Sequence, residues 1–282
     1  MASPPTEARP ERIGGALPRF SWRTALAVLL LLGLTGWSAR GVEFDLAALL
    51  QGSGPVERFV SGMFPPDLSA ATLRATARGL IETFQMSFLG ALIGASLALP
   101  LAALGTQGAP EASARRRERL PRAVPYHLAR LLLNVFRSVP DILWALVFVV
   151  ALGLGPFPGT LALAVHSAGV LGKLYAETLE AVPGGPVEAL RASGAGGPAA
   201  FLFGRVPQAA SGFASLTLYQ WECNIRSATI LGFVGAGGIG QEILISMNLF
   251  DYPKVATLVG ATMVIVLLVD RLSAAIRRRL VL

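Results

Sequence analysis

Six apolar stretches recur along the chain, at about residues 22–38, 80–104, 128–153, 157–177, 208–234 and 254–270, separated by segments where charged and helix-breaking residues collect. Each is close to the ~20 residues an α-helix needs to cross the hydrocarbon core of a bilayer. The pattern predicts an all-α integral membrane protein with about six transmembrane helices. Residues 1–20, rich in Pro, Arg and Glu, read as a disordered tail, and 21–282 as one membrane domain. The longest polar interval, 39–79, is too short for a soluble domain core. Within it Met63, Phe64, Pro65, Pro66 and Asp67 stop any helix, and Leu68 to Arg78 predicts a short helix lying at the interface. Residues 105–127 read as a basic loop and Gly153 to Pro158 as a tight reversal. In 178–207, Gly184, Gly185, Pro186, Gly194, Gly196, Gly197 and Pro198 break up short helical pieces.

Composition agrees with the pattern. Hydrophobic residues make up 53% of the 282 and charged residues 15%, against about a quarter charged in soluble domains. The net charge of +7 would suit nucleic acid, but position argues against it. With residues at the very ends of a stretch (Arg23, Arg130 and Lys254) counted in the flanking interval, sixteen Lys and Arg residues fall in alternate intervals beginning at the N-terminus and five in the others, with Arg137, Lys173 and Arg226 inside spans. That bias predicts that both ends of the chain face the cytoplasm. The first stretch also fits a cleaved signal peptide, although small residues are poorly placed for cleavage near Ser38 and Ala39. Cys223 is the sole cysteine, so no intrachain disulfide or thiolate metal cluster is expected.

Small residues recur every four positions at Gly90, Gly94 and Ala98, and at Ala164, Ala168, Gly172 and Ala176. Such ribbons let helix backbones approach closely, either within one subunit or at a homodimer seam. Three opposite-charge pairs lie in spans at i, i+4: Arg137 with Asp141, Lys173 with Glu177, and Glu222 with Arg226. A charge at the bilayer centre costs about 2.5–3.5 kcal/mol on insertion scales, so these pairs are expected to face the interior or a wet cavity. Pro140 threatens the first pair by disfavouring helix at Val139. Lys173 and Glu177 lie near a span end, where they can snorkel. Glu222 and Arg226 are placed mid-span and are the best pathway candidates. His166 and Glu82 read as hydrogen-bonded packing residues. Two glycine-rich stretches mislead. Gly169 to Leu174 lacks the spacing and the Ser or Thr of a phosphate loop, and Gly235 to Gly240 has no strand before it, as a dinucleotide loop requires.

Glu188 and Ala189, with Gly194 six residues after the glutamate and Pro207 thirteen after the glycine, match the spacing E-A-A-x3-G-x9-I-x-L-P. This resembles the EAA loop of ABC-importer permeases, a helix, glycine turn and helix that dock on a separate ATPase. Leu190, Gly204 and Val206 depart from the pattern, which puts the second helix in doubt. Phe136 to Asp141 (F-R-S-V-P-D), Trp144 to Gly155, His166 to Glu177, Trp221 to Gly240 and Met63 to Ser69 (M-F-P-P-D-L-S) resemble the permease subunit of phosphonate importers over roughly residues 60–280.

The resemblance implies type I ABC importer permease architecture in the cell inner membrane. It implies a homodimer, two cytoplasmic ABC ATPase subunits that use ATP and Mg, and a periplasmic or extracellular substrate-binding protein. The chain itself is then expected to bind no cofactor, metal or nucleic acid and to catalyse no reaction. The coupling loop would be carried by Glu188, Ala189, Gly194 and Pro207, and the pathway by Glu222, Asn224, Arg226, Arg137 and Ser138. The cargo would be a phosphonate or a related anion such as phosphite. Alternatives are a permease for methionine or another small solute, a proton-coupled transporter built on Glu222, His166 and Glu82, and a scaffold without transport.

Overall fold

The computed structural model describes residues 22–44, 53–106 and 116–280. The tail expected over 1–20 and residues 107–115 of the expected basic loop lie outside them. The chain divides into two units, residues 1–58 and 59–282. In the first, α1 (Trp22–Gly41) is a 20-residue apolar helix with no buried residue, and α2 (Ser53–Gly62) leads into the second. Among the described residues every regular element is helical.

The second unit begins with a cap. Asp67 accepts from the Ser69 amide (2.9 Å) and hydroxyl (3.1 Å) and from the Thr72 hydroxyl, and Ser69 Oγ accepts from the Thr72 amide (3.3 Å). The Thr72 hydroxyl first, then the Ser69 amide, hold the Asp67 carboxyl below the usual carboxylate range. From this cap α3 (Ala70–Gly105) runs unbroken for 36 residues. The separate interfacial helix expected from Leu68 is therefore the first turns of α3, because nothing between Ala70 and Arg78 breaks the helix. At 1.5 Å per residue α3 is about 54 Å long, well beyond the ~30 Å hydrocarbon core.

The span expected over 128–153 is also corrected. It is two helices, α4 (Arg116–Ser138) and α5 (Asp141–Leu152), bent by 90°. Pro140 has no amide to donate and its ring drives Val139 out of the α region. The bend is then fastened from outside. Trp144 Nε1 donates to the Phe136 carbonyl (3.2 Å), and His166 Nδ1 lies 3.2 Å from the Val139 carbonyl. A carbonyl only accepts, so this nitrogen carries the proton.

α6 (Pro156–Ala181) is the central helix, buried along Thr160, Leu163, Ser167, Leu171 and Tyr175 and packed on α3, α4 and α5. A Cβ at Gly90 would lie 2.7 Å from Leu163 Cβ, and one at Gly94 would lie 2.6 Å from Ser167 Cβ. The two small-residue ribbons thus meet each other inside one chain, so neither is free to form a homodimer seam.

Beyond α6 come α7 (Gly185–Ala192), a turn, a π-helical segment Ala200–Arg205, α8 (Val206–Leu231), a short 3-10 turn, α9 (Gly238–Asn248) and α10 (Tyr252–Leu280). The segment Gly197–Val234 continues into α9 across a bend of 42°, so the apolar path expected to end at Val234 runs on to Asn248. Among the described residues α1, α3 and α10 are each long and apolar enough to cross a membrane, and the two bent pairs, counted as one span each, raise that number to five. The remaining expected span is α6, long enough but diluted by Gly, Ser, His and Lys.

Candidate functional site

The loop singled out in the sequence is a compact helical hairpin. Glu188 lies in the first turn of α7, where its charge suits the helix N-terminus, and both it and Ala189 are exposed. Gly194 has φ +90°, a left-handed conformation that favours glycine, and the Ala195 amide returns to the Leu190 carbonyl at 3.0 Å. The chain then doubles back so that Gly204 faces α7. A Cβ there would meet Leu190 Cδ1 and Val187 Cγ2 at 3.1 Å. Gly204, a departure from the family pattern, is thus the residue that lets the two arms touch. The second arm differs from the expected α-helix. Pro207 offers no amide to the Phe203 carbonyl, and the chain widens into a π-turn in which the Val206 amide reaches Phe201 O. Leu202 and Phe203 are left 56% and 69% exposed on that arm.

The intramembrane charges pair differently from their sequence spacing. Lys173 and Glu177 do form their i, i+4 pair, at 3.5 Å with both side chains partly exposed. Arg137 and Asp141 do not, because the helix breaks between them. Arg137 donates to Asn134 Oδ1 (3.2 Å), and Asp141 accepts its neighbour Ile142 amide (2.9 Å). Glu222 and Arg226 are the largest correction. Glu222 Oε1 lies 2.7 Å from the Arg277 guanidinium of α10, a close ion pair whose angle falls outside that of a hydrogen bond. Arg226 reaches only the Glu222 backbone carbonyl (3.3 Å) and, at 3.9 Å, Asp270 of α10. α10 packs alongside α8, which brings Arg277 to Glu222 and Asp270 to Arg226 and so replaces the pair expected within α8 by two pairs between helices.

Of the expected pathway residues, Arg137, Ser138 and Arg226 are exposed, whereas Glu222 and Asn224 are buried. Asn224 belongs to a knot linking α3, α6 and α8. Both terminal atoms of its amide face Ser167 Oγ at 2.9 and 3.1 Å, the Gln220 amide lies 3.0 Å away, and the Ser87 carbonyl 3.5 Å. The structure brings the end of α4 onto α6, where a Cβ at Gly169 would fall 2.5 Å from the Arg137 amide nitrogen. It records no contact between Arg137 and Arg226.

Sequence reasoning missed Ser167, Gln220, Asp270 and Arg277, since each acts across helices. The seven-residue spacing of Asp270 and Arg277, two turns on one face, was the available signal. Glu82 acts as the packing residue it was expected to be. Its Oε2 accepts the Gly238 amide (3.1 Å), while Thr83 Oγ1 accepts the Ile239 amide (2.9 Å), so α3 caps the N-terminus of α9.

A family model described as binding-protein-dependent transport system inner membrane component matches residues 112–282. The chain belongs to this family. It is a permease subunit, a multi-pass protein of the inner membrane. Among its relatives is the phosphite transport system permease protein PtxC of Stutzerimonas stutzeri, 36% identical over 258 residues that cover 91% of this permease and 90% of that protein. The phosphate-import permease protein PhnE of Mycolicibacterium smegmatis is 36% identical over 242 residues, 86% of this permease but 43% of that protein. In fold, the permease is similar to a chain of the inward-facing MetNI methionine ABC transporter, with a TM-score of 0.65, 24% identity, and coverage of 76% of this chain and 99% of that one.

Proposed function

We propose that this permease moves phosphite or a related phosphorus oxyanion into the cytoplasm by alternating access. The carrying observation is the 36% identity to a phosphite permease across 91% of the chain. The methionine alternative has weaker support, since the MetNI likeness at 24% identity bears on the fold alone. In this reading both termini and the α7 hairpin face the cytoplasm, where two ATPase subunits bind and hydrolyse ATP with Mg. Glu188, Ala189, Gly194 and Pro207 carry the docking knob, and the Val187–Gly204 contact makes it rigid enough to transmit motion. A binding protein delivers the anion on the opposite side.

A second permease subunit completes the pathway, a copy of this chain or a paralogue. The relative from M. smegmatis supports a two-unit assembly, because the segment aligned with this permease fills 43% of it and leaves room for a second such unit. The anion path is lined by the exposed Arg226, Arg137 and Ser138, with Glu222 and Asn224 holding the wall behind them. An arginine side chain 52% exposed within a span is unsuited to lipid, which supports this reading of that face of α8 as turned toward water or the partner subunit.

The test is reconstitution in lipid with the neighbouring ATPase and binding protein. Phosphite or a phosphonate, and not methionine, is expected to stimulate ATP hydrolysis and uptake; stimulation by methionine alone would refute the cargo.

A further inference from the structure

We infer that Arg277 is a positioning residue that sequesters the Glu222 carboxylate and thereby keeps the Arg226 guanidinium free for the oxyanion. The inference rests on the proposed role of Arg226 and adds what sets its charge. On α8 alone Glu222 and Arg226 stand one turn apart and would pair by default. Glu222 instead meets Arg277 at 2.7 Å, with side chains only 8% and 26% exposed, while Arg226 is 52% exposed and 3.9 Å from its nearest carboxylate, Asp270.

Two cations thus compete for one buried anion, and the one on α10 holds it. A buried carboxylate left without a partner is strongly unfavourable. If Arg277 were lost, the nearest available cation would be Arg226, already anchored to the Glu222 carbonyl at 3.3 Å. Its guanidinium would turn inward, and the exposed face would lose its positive charge. Asp270 plays the opposite part, loosely orienting Arg226 from the α10 side without neutralising it at close range.

A plain staple between α8 and α10 makes a different prediction, since any variant without the ion pair would be damaged alike. Uptake of radiolabelled phosphite is measured in the reconstituted full transporter for R277Q, E222Q/R277Q, R277K and R226Q, with membrane abundance and basal ATPase as controls. R277Q is expected to lose uptake about tenfold, and E222Q/R277Q to recover most of it, because the competing carboxylate is gone. R277K, which keeps the carboxylate compensated and so protects folding, is expected to retain most uptake. A double variant as impaired as R277Q, wild-type uptake by R277Q, or loss of uptake in R277K would overturn the inference while leaving the role of Arg226 intact. Wild-type uptake by R226Q would overturn both.

Discussion

Gly94 and Gly90 are points where α3 and α6 approach too closely for a side chain, an added Cβ falling 2.6 and 2.7 Å from the Cβ atoms of Ser167 and Leu163. Gly94→Leu is expected to destabilise the permease by about 1–3 kcal/mol or more through overpacking against Ser167, read as loss of monodisperse protein on size-exclusion in mild detergent. The same change at Gly36 of α1, where an added Cβ meets nothing within 4 Å, is expected to be tolerated. Asp67 gives a prediction in pH. Its folded-state value is lowered by the Thr72 hydroxyl and Ser69 amide. Its contribution is therefore present above the ordinary carboxylate value and lost as pH falls below it through the lowered folded value. The difference in melting temperature between wild type and Asp67→Asn is expected to shrink between about pH 7 and about pH 3. At this scale the sequence spoke well where chemistry is local: the Lys173–Glu177 pair and the packing role of Glu82 are as their neighbourhoods imply. It misdirected Glu222, whose partner lies 55 positions away and outside any i, i+4 rule.

At the scale of elements, breaks were easier to read than continuations. Pro140 announced a disturbance in the third apolar stretch, but its result, a 90° turn between two helices, depends on Trp144 and His166 fastening freed carbonyls. His166→Ala leaves the Val139 carbonyl without its donor, at a cost of about 1–3 kcal/mol, and is expected to lower the thermal midpoint of the purified permease. The α7 hairpin was legible because its glycine and proline positions have fixed backbone meaning. Its π-helical second arm was not, since Pro207 marks a missing amide without saying that the chain answers it by widening to the Val206–Phe201 bond. Glu188→Lys is expected to uncouple ATP hydrolysis from uptake while leaving insertion normal, and full uptake by that variant would remove the docking role. Gly194→Val, at φ +90°, is expected to have the same phenotype through backbone strain. The 36-residue run of α3 was missed because its first turns are mixed polar and apolar, and pattern alone marked only the apolar remainder as a span.

For the molecule as a whole, membrane class and family were legible in apolar stretches and loop spacing, whereas the arrangement of helices was not. Ribbons of small residues announce close packing without naming the partner, and here the partner is the other ribbon of the same chain. The burial of α6 bears on biogenesis. Its Gly, Ser, His and Lys content leaves it short of the apolarity that carries α1, α3 and α10 across a membrane unaided. A nascent segment of that composition is held in the bilayer by companions, chiefly the already synthesised α3, whose glycines receive it. Synthesis order and packing order thus coincide at this helix. In fragments that end just after Ala181, α6 itself is expected to be inserted only when α3 keeps Gly90 and Gly94, which pulse-chase protease protection of the α6 segment would read directly.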